Sequence, residues 1–200
     1  MKKISVFLLS SALLLFIAGC GIQEPAPITE AVTEESPSAS PSVPSASEAP
    51  EYPDSLEAEI FVEGEPQTLT LDLFDGGNYV IYIPGEDFTL ETTLEDGYLT
   101  DRWTNIYLDE IWFSVISLGS MEEEEARQYL LRRYQDWQFS PPVENQYCGT
   151  EYTNFTFLNF MIHSDQNRTF ALVAHYPMDA GDGYAPRTET IMSSFAVKPG

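Results

Sequence analysis

The stretch Thr68-Leu69-Thr70-Leu71-Asp72-Leu73-Phe74-Asp75-Gly76-Gly77-Asn78-Tyr79-Val80-Ile81-Tyr82-Ile83 decides the fold class. Leu69, Leu71 and Leu73 alternate with polar residues, the period of a strand with one buried face. Asp75-Gly76-Gly77-Asn78 has the composition of a hairpin turn, because glycine reaches the positive backbone angles such turns need without steric cost. Pro84-Gly85 stops the second strand. Upstream, Glu57 to Glu63 precedes a Gly64-Glu65-Pro66 turn. Downstream, strands are expected at Phe88 to Thr92, Tyr98 to Asn105 and Glu110 to Leu118, where Ile111, Phe113 and Val115 alternate with Trp112, Ser114 and Ile116. No helical stretch separates these strands before Ser120, so a doubly wound parallel sheet is disfavoured and an antiparallel meander is expected.

Ser120 and Glu123 have the spacing of a capping box, with Glu122 to Glu125 in the first turn and Arg132 and Arg133 near the far end, as the helix dipole favours. Leu130, Leu131, Tyr134 and Trp137 recur at helical spacing, which predicts an amphipathic helix over Met121 to Trp137 lying on the sheet. Strands resume at Gln146 to Cys148 and Asn154 to His163, turn at Asp165-Gln166-Asn167, and return through Arg168 to Tyr176. Pro186, a good first helical residue, introduces a short C-terminal helix that turns Ile191, Met192 and Phe195 inward. The fold class is therefore α+β, an antiparallel sheet with one amphipathic helix packed on it and a short C-terminal helix.

Outside this domain the signals change. Lys2 and Lys3 precede an apolar stretch from Ile4 to Ala18, which reads as a signal peptide over residues 1–19. The stretch is shorter than the roughly 20 apolar residues of a membrane span. Ile17-Ala18-Gly19-Cys20 resembles the lipobox of bacterial lipoproteins, and implies lipidation at Cys20. Two acyl chains suffice for stable anchoring, so Cys20 is read as a membrane anchor on the extracytoplasmic face. Residues 20–53 are rich in Pro, Ser, Ala and Glu without hydrophobic periodicity, the composition of a disordered tether. As a coil it would reach on the order of 30 Å. Residues 54–200 form the single α+β domain.

Charge narrows the partners. The 200 residues carry 32 acids and nine Lys or Arg, a net charge of -23, and removal of Lys2 and Lys3 without any acid takes it to -25. Such a polyanion repels phosphate backbones, so nucleic acid is not an expected partner.

The strand Tyr79-Val80-Ile81-Tyr82-Ile83-Pro84, the single helix after the strand ending at Leu118, and the closing Pro186-Arg187-Thr188-Glu189-Thr190-Ile191-Met192-Ser193-Ser194-Phe195 resemble the Mog1/PsbP-like domains over about residues 67–197. The resemblance implies an antiparallel sheet with flanking helices, used by relatives mainly for binding or assembly. The Glu57 to Phe74 hairpin lies outside the minimal pattern.

Chemistry is sparse on this scaffold. If Asp165 to Arg168 form a hairpin loop, His163 pairs with Phe170, and His175 lies roughly 17 Å further along on the opposite face, so the two cannot share a metal. Cys148 has no thiol partner once Cys20 is lipidated, and no local base activates it. Asp179 and Asp182, in the glycine-rich Met178 to Tyr184 loop, offer oxygens to calcium but lack the EF-hand pattern; a solvated loop is the favoured reading, and no cofactor is expected. Paired carboxylates such as Asp109-Glu110 with Glu151 cannot be ranked among so many acids. Trp112 and Trp137 fit core stripes, which leaves Trp103, flanked by Arg102, Thr104 and Asn105, as the aromatic for ligand contact. The expectation is a non-catalytic envelope lipoprotein that binds a protein, a glycan or a cationic ligand. An acidic-residue hydrolase, with or without calcium, is the alternative.

Overall fold

The computed structural model describes residues 51–143, 145–165 and 167–200. The signal stretch, the Ile17 to Cys20 motif and most of the tether lie outside the described residues. The fold is α+β, with eleven strands in two antiparallel sheets and two helices among the described residues.

The small sheet has the order β1-β2-β3-β11, made of β1 (Ser55–Val62), β2 (Glu65–Asp75), β3 (Tyr79–Ile83) and β11 (Ala196–Val197). The first hairpin turns on Glu63 and Gly64, both at positive φ (54° and 85°), which fits a two-residue turn of the type that matches strand twist. The turn thus falls one residue earlier than Gly64-Glu65-Pro66, and Pro66 enters β2 opposite Phe61. It is tolerated there because a two-residue loop makes Val62 and Glu65 the bonded pair. Pro66 then occupies a non-bonded position whose missing N–H breaks no bond to β1. The second hairpin follows the expected Asp75 to Asn78 turn. Gly76 is obligatory, since a Cβ there would come within 2.3 Å of the Tyr79 ring.

The large sheet runs β4-β5-β6-β10-β9-β8-β7. Its members are β4 (Phe88–Glu95), β5 (Tyr98–Asn105), β6 (Trp112–Gly119), β7 (Gln138–Phe139), β8 (Gln146–Glu151), β9 (Thr156–Asp165) and β10 (Arg168–Pro177). β10 is central and apolar on both faces. Phe170, Leu172 and Ala174 join Trp103, Phe113 and Val115 in a core shared with β2, β3 and α2 (Gly181–Ser193). Ala171 and Val173 join Ile116, Leu158 and Phe160 in a second core beneath α1 (Glu123–Arg133). The small sheet and α2 therefore cover one face, and α1 covers the other.

Three local expectations are corrected. Helix α1 starts at Glu123 with Glu122 as its N-cap, and no side chain caps it. Glu122 is extended (φ -67°, ψ 148°), so Ser120 lies two residues outside the cap position and the Ser120/Glu123 box does not form. The helix ends at Arg133, and Ala126, Leu130 and Tyr134 make its buried stripe, with Leu131 and Trp137 at the margin. Helix α2 begins at Gly181, ahead of Pro186, so the whole of the expected Met178 to Tyr184 loop is a 3-10 turn followed by helix. Arg187 Nη1 donates to the Gly183 carbonyl at 2.7 Å, which satisfies an acceptor in that first stretch. Ile191, Met192 and Phe195 are buried as expected. Trp103 is 4% exposed, not a surface aromatic. The register places it beside Leu90 and Phe113, on the face toward the small sheet, where Phe74 meets it edge-on at 4.9 Å. Its polar neighbours Arg102 and Thr104 project to the other face, as strand alternation requires.

Candidate binding groove beside strand β1

Strand β1 is an edge of the small sheet. Leu56, Ala58 and Ile60 lie opposite Leu71, Leu69 and Gln67 on the inward side, and Glu57, Glu59 and Phe61 alternate with them. Because the closing pair Val62/Glu65 is hydrogen-bonded, so are Ile60/Gln67, Ala58/Leu69 and Leu56/Leu71. Glu57, Glu59 and Phe61 therefore direct their N–H and C=O groups away from β2. The bond from Leu73 N–H to the Asp54 carbonyl at 2.9 Å continues the same phase.

Helix α2 packs against this strand. Pro186, Glu189, Thr190 and Ser193 recur at helical spacing and form the second wall of a groove of about 510 Å³, with Leu56, Ile60 and Leu71 on the first. Phe61 stands 58% exposed at its margin, Glu189 lies on the helical wall, and Glu57 and Glu59 flank the groove on the alternate positions of β1. No lysine or arginine is among its lining residues. The nearby Arg187 is occupied by the Gly183 carbonyl and by Gln67 Oε1. The site thus combines a strand edge with no partner among the described residues, an apolar trough and negative charge.

A second apolar surface sits at one end of the large sheet. The β5–β6 loop exposes Ile106, Tyr107 and Leu108, and the β8–β9 loop exposes Tyr152 and Phe155, about 14 Å away by strand spacing. Several backbone N–H groups in these loops are bonded within the loop. Asn105 Oδ1 accepts from Tyr107 and Leu108 N–H, and the Glu151 carboxylate accepts from Thr153 and Asn154 N–H at 2.8 and 2.7 Å. Burial raises the Glu151 pKa, but these bonds outweigh it and leave the group below the usual carboxylate range.

The two histidines occupy opposite faces, with His163 opposite Phe170 as the sequence register requires. His163 packs on Phe195, and burial lowers its pKa. His175 stacks on Trp112 with ring centroids 5.2 Å apart and meets Trp137 edge-on. Its Nδ1 donates to the Glu110 carbonyl, since a carbonyl can only accept. Burial and the Arg102 charge lower its pKa against that bond. Arg102 lies over the other part of this stack, 4.5 Å from the Trp112 ring, so the cluster reads as a cation and aromatic packing unit.

The remaining sequence candidates do not converge. Asp179 is exposed on the 3-10 turn and Asp182 on the first turn of α2. Among the described residues no group of three or more His, Cys, Asp or Glu could hold a metal ion. Cys148 is exposed on β8, and partial desolvation with the Glu189 charge raises its pKa, the opposite of an activated thiolate. The groove itself escaped sequence reasoning. The acid–apolar alternation of Glu57 to Phe61 and the helical spacing of Pro186, Glu189 and Ser193 were both visible, but nothing local joins segments 130 residues apart.

No protein-family model matches the chain, and no curated protein matches it. Among solved structures, it is similar to the solution structure of cyanobacterial PsbP (CyanoP) from Synechocystis sp. PCC 6803, at 12% identity and a TM-score of 0.44, over 64% of this chain and 93% of that one. A likeness at this level assigns neither family nor function.

Proposed function

We propose that this chain is a lipid-anchored bacterial envelope protein whose domain is a non-catalytic binding or assembly module, with the groove between β1 and α2 as its contact surface. The observation that carries the binding reading is the open β1 edge beside an apolar trough, a combination that recognition by strand addition exploits. The anchoring part rests on Lys2-Lys3, the apolar run to Ala18 and the Ile17-Ala18-Gly19-Cys20 motif. A tether of about 33 residues would let the groove work at a distance on the order of 30 Å from the bilayer.

The alternative, an acidic-residue hydrolase, needs a carboxyl held protonated near neutral pH. The carboxyls whose ionisation is displaced among the described residues, Asp75, Glu124 and Glu151, are all displaced downward by hydrogen bonds. That favours binding over acid catalysis.

Two experiments test the reading. Labelling with a fatty-acid analogue should mark the wild-type chain and not Cys20→Ser, which should also leave the membrane fraction; equal labelling contradicts the anchor. A photo-crosslinking residue at position 61 should yield a discrete adduct in envelope membranes, absent when the probe is at exposed position 124. Identical patterns from both positions contradict the groove.

A further inference from the structure

Resting on the binding reading above, we propose that β1 accepts an extended, cationic segment of a partner protein, which adds as a further antiparallel or parallel strand to the free edge while its alternate apolar side chains enter the β1–α2 groove. Three observations converge on this chemistry. The first is backbone valence. Glu57, Glu59 and Phe61 present outward N–H and C=O groups along a strand of eight residues, about 26 Å at strand rise, so the matching segment is seven to eight residues long at ~3.3 Å per residue.

The second is shape. Leu56, Ile60 and Leu71 face Pro186 and Thr190 across the trough, so side chains of one parity on an added strand find an apolar channel. Residues of the other parity lie beside Glu57 and Glu59, where cross-strand pairing with lysine or arginine is favourable and pairing with acids is not.

The third is charge, which also selects among occupants. A second copy of this chain would bring its own Glu57 and Glu59 against the first pair, on molecules each carrying a net charge of -23. Like charges directly across a strand pair are destabilising. The acids that keep the edge from pairing with itself leave it open to a basic strand. With no lysine or arginine lining the groove, its carboxylates have no cationic partner among those lining residues.

The probe is an eight-residue peptide alternating lysine with valine, fluorescently labelled and titrated into the full chain in detergent. It is compared with its glutamate counterpart and with a version N-methylated at every residue, which can donate no ladder hydrogen bond from either edge. Binding of the lysine peptide alone is expected. Glu57→Lys with Glu59→Lys, or separately Glu189→Lys should one variant misfold, should weaken it at least tenfold. Glu123→Lys with Glu125→Lys, the same charge change on α1, should weaken it less than twofold. Equal binding of the N-methylated peptide, equal weakening by the α1 variant, or no binding of the lysine peptide would each overturn the proposal. A concentration-dependent dimer abolished by Phe61→Ala would also overturn it, by assigning the edge to a second copy. An adduct at position 61 together with failure of the peptide would leave the binding function standing and remove strand addition alone.

Discussion

The centre of the large sheet and the outer edge of the small one are built from the same kind of strand and end in opposite situations. In β10, Phe170 through Ala174 are each 3% exposed or less, because β6 and β9 pair with both edges and a core covers each face. In β1, only Ile60 is buried, one edge is unpaired among the described residues, and Glu57 and Glu59 occupy alternate positions. The contrast separates residues that hold the fold from residues that remain available to a partner. A strand closed on all sides contributes stability, whereas one closed on two sides keeps hydrogen-bonding capacity in reserve.

The strongest way to break this contrast is at the closed end. Leu172→Ala removes a fully buried side chain from the densest part of the core and should lower unfolding free energy by about 2–5 kcal/mol. Urea denaturation with an unchanged slope measures it; a loss under 1 kcal/mol would mean the centre is not the stabilising region. Tyr79→Phe comes next. The Tyr79 hydroxyl donates to Asp101 Oδ2 at 2.6 Å, while Thr92 donates to the other carboxylate oxygen at 2.6 Å, so removing one donor from this buried acid should cost about 1–3 kcal/mol. Restoration of midpoint by Asp101→Asn in the Tyr79→Phe background would identify the unmet charge as the cause.

Proton linkage gives a smaller effect with a defined sign. Burial holds both His163 and His175 below their ordinary pKa, so the unfolded chain binds protons more readily than the folded one. Their contribution is complete above the unfolded value of about 6.5 and is lost as pH falls below it. His175→Gln should flatten part of that decline, and the Trp112 emission that His175 contacts should titrate with a midpoint under 6.5 in the wild type; a midpoint above it would contradict the burial argument. The smallest expected effect is at Ser120. Since Glu122 is the N-cap of α1, Ser120→Ala should change stability by less than about 0.5 kcal/mol, where loss of a true cap costs about 1 kcal/mol.

That last case shows where sequence reading stops. Strand periodicity placed β5 at its observed bounds and fixed the His163/Phe170 register, because period two and a short turn are local properties. Local rules failed where distant chain intervened. Ser120 has the right spacing to Glu123, but the extended Glu122 is the cap residue and the helix starts after it. Trp103 had polar neighbours, yet its face was decided by Phe74 and Phe113 from other strands. Pro186 suits a first turn, yet the helix extends upstream of it to Gly181. The groove required β1 and α2 together, and β11 pairs Ala196 with Val80, a closure that no window of sequence contains.

The proposed open β1 edge for a cationic strand is read directly by amide hydrogen exchange at single-residue resolution. In the free protein, the Glu57, Glu59 and Phe61 amides should exchange much faster than those of Ala58 and Ile60, which bond to β2. On saturation with the lysine–valine peptide, Glu57, Glu59 and Phe61 should become protected while the β10 amides stay unchanged. Protection of those three amides before any peptide is added, or no gain in their protection once it is bound, would contradict the account.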